Sequence, residues 1–252
     1  MGRVSKGLYR CIRKTLEWVY PSTRVVGTEN LPEGPCIIVG NHAQIHGPIA
    51  CELFIPGLHY IWCAAEMMHL KEVPAYAYQD FWAEKPRSVR WLFKIASYLI
   101  APLSVCVFGN ANCIPVRRDS RAISTFRETL ERLDEGARIV IFPECRTPGN
   151  GLVWQFQNGF VGVARMYYAR TGKVLRFVPL YVAPTLRTLA LGEPIAFDPH
   201  APAAQERERI CAELMKAITR TAHSLPDHIA VPYPNLPRRD YPHIKQERES
   251  RS

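Results

Sequence analysis

With 252 residues and 47% hydrophobic side chains, the chain can bury the core of a large folded domain and is not a disordered polar polymer. A net charge of +9 points to an anionic partner such as nucleic acid, an acidic lipid surface or a phosphorylated substrate, and equally to a basic solvated surface. The eight cysteines stand singly, with no C-x-x-C pair and no Cys/His cluster at zinc spacing. This argues against a zinc framework and for buried thiols in a reducing compartment.

Residues 3–19, RVSKGLYRCIRKTLEWV, place Val4, Leu8, Ile12, Leu16 and Val19 on one helical stripe, with Arg3, Lys6, Arg10, Arg13 and Lys14 largely on the other faces. Such an N-terminal amphipathic helix, spanning 1–20, suits an anionic membrane surface, with Trp18 and Tyr20 at the interface; docking on its own domain fits the pattern as well. The apolar core and cleavage site of a signal peptide are missing, so a cytoplasmic location is expected. Pro21 to Thr23 break the helix, and Arg24 to Gly27 read as a short strand.

Cys36 to Val39 is an apolar, β-branched run that ends at Gly40, as a buried strand does at a tight turn. Asn41 and His42 follow, ahead of a helix expected from about Pro48 to Phe54. A histidine in that place can take a proton from a substrate hydroxyl near neutral pH, although an Asn-His pair alone is more often only a turn. Tyr60 to Ala65 reads as another strand. The most apolar segment, Ser88 to Phe108, contains a best run of 14 residues between Lys94 and Gly109 that Pro102 interrupts. That falls short of the roughly 20 residues a bilayer crossing needs, so a buried or monotopic helix is expected and no spanning segment.

The segment ANCIPVRRD reads as a strand ending in Arg117, Arg118 and Asp119. Ser120 to Leu133 is a helix with Ile123, Phe126, Leu130 and Leu133 on one side. Arg138 to Phe142 is a strand stopped by Pro143, with Glu144 at its end. A helix over 156–170, a strand over Val174 to Val182 and a helix over Arg207 to Ser224 complete the pattern. The alternation predicts an α/β fold with a mostly parallel central sheet flanked by helices, in a single domain over 1–225. From Pro226 the chain carries Pro232, Pro234, Pro237 and Pro242 without an apolar period. A Pro-rich basic tail, 226–252, is expected to lie along the surface or to be mobile.

His42, Arg118 and Glu144 each fall just after a predicted strand, where open α/β sheets bind ligands. The constellation is a base (His42), a cationic strand end (Arg117, Arg118) and a carboxylate (Glu144) followed by Arg146. Paired guanidinium groups suit phosphate, because they carry permanent charge and planar, bidentate donors. Glu144 could hold such an arginine or bind a substrate hydroxyl.

These blocks resemble the PlsC-like glycerolipid acyltransferases. The resemblance runs from about Val26 to Ile195. VVGTENLPEGPCIIVGNH is similar to the family's approach to its Asn-His motif. Ile114-Pro115-Val116-Arg117-Arg118 resembles its second block, and Phe142-Pro143-Glu144 the start of its Phe-Pro-Glu-Gly-Thr-Arg block. Phe177-Val178-Pro179-Leu180 resembles its Val-Pro strand. Four blocks in order are a fairly specific signal.

The resemblance implies acyl transfer from acyl-CoA or acyl carrier protein to the hydroxyl of a lysophosphatidate-like acceptor. His42 would be the general base, with His46 as a second catalytic candidate and Arg118, Glu144, Arg146 and Arg117 at the acceptor phosphate. No cofactor, metal or nucleic acid is implied, and a peripheral place on the inner face of the membrane is expected. The chain departs from the family pattern twice. Gly47 stands where the family has an aspartate that orients the histidine, with His46 one place earlier. Cys145-Arg146-Thr147 replaces Gly-Thr-Arg, moving the arginine by one position. The missing aspartate leaves an alternative of another class: a catalytically degenerate acyltransferase-like protein that binds lipid, acyl carrier or a partner without turnover.

Overall fold

Apolar β-branched runs become strands and the amphipathic segments become helices in the computed structural model, which describes residues 3–82, 87–117 and 122–246. In chain order these are α1 (Arg3–Val19), β1 (Arg24–Val26), β2 (Ile37–Gly40), α2 (His46–Phe54), β3 (His59–Ala64), α3 (Val73–Ala77), α4 (Arg90–Phe108), β4 (Cys113–Val116) and α5 (Ala122–Asp134). There follow β5 (Arg138–Ile141), α6 (Gly162–Thr171), β6 (Arg176–Ala183), β7 (Thr188–Leu191), β8 (Ile195–Ala196), α7 (Ala203–Ser224), β9 (His228–Ile229) and β10 (His243–Ile244). The chain divides into two compact units, Met1–Pro21 with Tyr60–Glu128, and Ser22–His59 with Thr129–Ser252. Each unit is assembled from two separate stretches of chain, so no linker composition marks the division in the sequence.

In the unit containing Ser22–His59, the strands are ordered β1-β7-β6-β2-β5, and β8 pairs with β6. Strand β2 runs parallel to both neighbours, with Ile37 opposite Phe177 on β6 and Ile139 on β5. Ile37, Ile38 and Val39 are all fully buried. That explains why this strand reads as a continuous apolar run rather than an alternation: a parallel sheet is covered on both faces. Helix α7 packs on β6 and buries Ile210, Leu214, Ile218 and Ala222, spaced by four along one stripe. Strand β7 is antiparallel to β6, so the sheet is mixed while remaining mostly parallel.

The other unit pairs β3 with β4 in parallel. Helices α3 and α4 share a small core of Val73, Ala77 and Ala101, with Met67, Ile100 and Val105 against it. Helix α1 packs on α4.

Here the structure corrects one part of the sequence reading of the apolar segment, the interruption at Pro102; the helix itself was expected. Pro102 does not interrupt the helix, and α4 runs unbroken for 19 residues, long and apolar enough by length and composition to cross a membrane. A proline removes one helical hydrogen bond but its fixed φ fits the helix. The helix is turned unusually: Ser97, Ala101, Ser104 and Cys106 face inward, and Ser104 donates to the carbonyl of Met67 at 2.8 Å. Trp91, Leu92, Ile95, Tyr98, Leu99 and Leu103 are exposed, Leu99 to 75%.

The Pro-rich segment is structured through Gln246. His228–Ile229 and His243–Ile244 pair as an antiparallel ribbon, and the intervening loop packs on the segment after β2, as described next. The thiols follow expectation in part. All eight cysteines are reduced; Cys36, Cys51, Cys106 and Cys211 are buried, whereas Cys11 is exposed.

Candidate active site

Strands β2 and β5 run parallel, so the residues that follow them emerge on one rim of the sheet. Asn41, the first residue after β2, is buried and behaves as one more rung of the ladder. Its amide Nδ2 donates to the carbonyl of Val182 at 3.2 Å, and its Oδ1 accepts the Val182 N–H at 2.7 Å. This fixes the chain direction immediately before His42.

Glu144, three residues past the end of β5, fixes it from the other side. Its Oε2 accepts the main-chain N–H of His42 at 2.5 Å, and its Oε1 accepts that of Trp154 at 2.8 Å. The carboxyl is buried, and burial pushes its pKa up to about 7 against the pull of the two N–H donors. The sequence placed Glu144 at a substrate phosphate; what the structure shows is a carboxylate whose oxygens tie the loop after β2 to the loop after β5.

The turn from His42 to Gly47 is closed by two main-chain bonds, His46 N–H to the Ala43 carbonyl and Gly47 N–H to the His42 carbonyl, both 3.1 Å. To make it, Ala43 and Gln44 adopt positive φ, 46° and 56°, at a cost of about 1–2 kcal/mol for each side chain. The closure explains Gly47. A Cβ there would stand 2.5 Å from the His42 carbonyl oxygen and 2.9 Å from the Phe142 ring, so the aspartate of the resembled motif does not fit this turn.

The same turn brings the Gln44 carbonyl to the His42 ring, where it bonds Nδ1. A carbonyl oxygen only accepts, so in the neutral ring this bond assigns the proton to Nδ1 and the acceptor lone pair to Nε2. The imidazole sits between two aromatic rings, Phe142 at 5.2 Å and Tyr233 at 5.6 Å between centroids. The Gln44 side chain is held in turn: its Nε2 donates to the Tyr241 hydroxyl at 2.9 Å and reaches the Pro234 carbonyl at 3.4 Å.

His46 opens α2 and is partly buried, which lowers its pKa. Arg146 is exposed on a bend two residues beyond Glu144, in irregular chain rather than in a strand. Arg117 belongs to the other unit, where its guanidinium donates to His69 Nε2 at 2.9 Å and its main-chain N–H points to the Thr125 hydroxyl at 3.4 Å. Arg118 lies outside the described residues. Among the described residues, no group of three or more His, Cys, Asp and Glu could hold a metal ion.

Sequence reasoning missed Gln44, Tyr233, Tyr241 and the Trp154 amide. The one available signal was Gly47 itself, since a histidine deprived of its carboxylate needs another acceptor.

Comparison with known proteins finds a match to the Acyltransferase family over residues 74–184. The matched stretch contains Ile114–Arg118, Phe142–Glu144 and Phe177–Leu180 and begins after His42. No curated protein matches. Among solved structures, the chain is similar to the crystal structure of the 1-acyl-sn-glycerophosphate (LPA) acyltransferase, PlsC, from Thermotoga maritima. The identity is 16% and the TM-score 0.48, with 85% of this chain and 78% of that one covered.

Proposed function

We propose that this chain, which matches the Acyltransferase family over residues 74–184, moves a fatty acyl group from acyl-CoA or acyl carrier protein to the hydroxyl of a lysophosphatidate-like glycerolipid. The observation that carries the reading is His42, whose Nδ1–H bond to the Gln44 carbonyl puts the basic lone pair on Nε2 at the carboxyl rim of the sheet. In the reaction, Nε2 takes the acceptor's hydroxyl proton as its oxygen attacks the thioester carbonyl. The C–S bond breaks, an ester C–O bond replaces it, and the imidazolium returns the proton to the departing thiolate. Recognition of the acceptor phosphate is assigned to Arg118, Arg117 and Arg146 by the blocks in which they stand. Glu144 supports that end by holding the loops.

Peripheral attachment to the inner face of the membrane belongs to the same reading. It is supported by the exposed apolar face of α4 and by Lys6, Arg10, Arg13 and Lys14, exposed on the neighbouring α1.

Purified protein incubated with labelled acyl-CoA or acyl carrier protein should acylate lysophosphatidate and leave monoacylglycerol, which lacks the phosphate, essentially untouched. Transfer to neither acceptor from either donor would remove the reading. It would favour the second one, a lipid- or carrier-binding protein without turnover, for which Gly47 in place of the orienting aspartate is the supporting observation.

A further inference from the structure

We propose that Gln44 is the positioning residue of His42: its main-chain carbonyl takes the place of the missing carboxylate, and the Pro-rich C-terminal segment holds it there. The inference rests on the acyl-transfer reading for its purpose, but not for its geometry.

Four observations converge. The Gln44 carbonyl bonds Nδ1 of the imidazole, which is the nitrogen an orienting acceptor must engage if Nε2 is to act as base. The carbonyl reaches that place only because Ala43 and Gln44 both hold positive φ, a conformation that side chains rarely adopt and that the surroundings must therefore impose. Gly47 approaches the His42 carbonyl too closely for any Cβ, so the turn that presents the Gln44 carbonyl is the same turn that excludes an aspartate at 47. Finally, the Gln44 amide is engaged by Tyr241 and Pro234, while Tyr233 stands edge-on to the imidazole. Three residues of the 233–241 loop thus bear directly on the histidine and its partner.

The chemistry of the substitution is specific. A neutral carbonyl selects the Nδ1–H tautomer and fixes the ring plane as a carboxylate would. It supplies a dipole rather than a full charge to the imidazolium formed during transfer. The base is therefore oriented without an anion at Nδ1, and the loop beyond β9 becomes part of the active site.

The test reads the tautomer directly. Long-range ¹⁵N–¹H spectra of the histidine rings in ¹⁵N-labelled full-length protein, with the His42 signals identified by their absence in His42→Gln, should show His42 protonated on Nδ1. Gln44→Val, whose branched side chain resists positive φ, should lose that signature and lower kcat about tenfold or more at similar KM. Gln44→Gly, which adopts positive φ readily, should keep the signature and lose less. Tyr241→Phe should fall between the two. Protonation on Nε2 in the unmutated protein overturns the proposal, as does a Gln44→Val protein with unchanged signature and rate. If Gln44→Val does not fold, the unmutated protein and Gln44→Gly still decide it. An Nδ1–H signature in a protein without acyl transfer upholds the positioning and rejects the activity.

Discussion

The main-chain N–H of His42 and the side chain of Glu144 are joined by a 2.5 Å hydrogen bond that spans 102 residues of sequence and links the loops beyond two adjacent parallel strands. The imidazole therefore stands on main chain that is clamped from both sides, by Glu144 and by the Asn41 amide against Val182. Preorganisation of this kind lets a single side chain act as base without first being gathered into place.

Glu144 makes stability depend on pH in a defined direction. Its folded pKa, about 7, lies above the ordinary 4.5 because burial outweighs the two donors. The native state thus holds the proton more tightly than the unfolded chain. The corresponding stability is fully present below about pH 4.5 and is lost as pH rises through 7, on the order of 3 kcal/mol in all. Urea unfolding at pH 5 and pH 8 should show a larger fall for the unmutated protein than for Glu144→Gln. Glu144→Gln should also be less stable at pH 5 by about 1–3 kcal/mol, since the amide nitrogen only donates and meets one of the two N–H groups, whereas the hydroxyl oxygen of the protonated acid still accepts. Equal pH slopes would contradict the assignment.

Gly47 is a steric requirement of the turn rather than a simple deletion of function. Gly47→Asp should therefore reduce acyl transfer and cost about 1–3 kcal/mol of stability, as overpacking does. Steady-state kinetics with a thermal melt would check both. A rise in kcat would show that the turn can open and that the aspartate is merely absent.

The outward face of α4 should carry membrane affinity. Leu99, 75% exposed, makes no core contribution, so Leu99→Glu should leave the melting temperature nearly unchanged. Losing about 1.5–3 kcal/mol of apolar burial should weaken sedimentation with phosphatidylglycerol vesicles by roughly tenfold or more. Unchanged vesicle binding would count against this face.

Much of this was legible in the residues themselves. The run CIIVG, the stop at Pro143 and the stripes of the last helix forecast β2, the end of β5 and α7, because a two-sided parallel sheet and its covering helices leave strong apolar patterns. Strand β7, four residues long, did not stand out from its surroundings. Helix α4 was misjudged at Pro102, since composition records the missing N–H but not the helical φ that proline already holds. The partner of His42 was invisible for a different reason. Pattern matching looks for side chains, whereas the acceptor here is a main-chain carbonyl aimed by two positive φ angles and secured from a segment nearly 200 residues away whose prolines suggested only a surface tail.

If the His42 imidazole is the base of an acyl transfer, removing it should stop turnover, which is read by comparing thiol release from acyl-CoA in the presence of lysophosphatidate for the unmutated protein and His42→Ala. Loss of roughly 10²–10⁴-fold in kcat with an intact thermal melt is the expected result, the range that removal of a general base produces. Equal rates in the two proteins would contradict it.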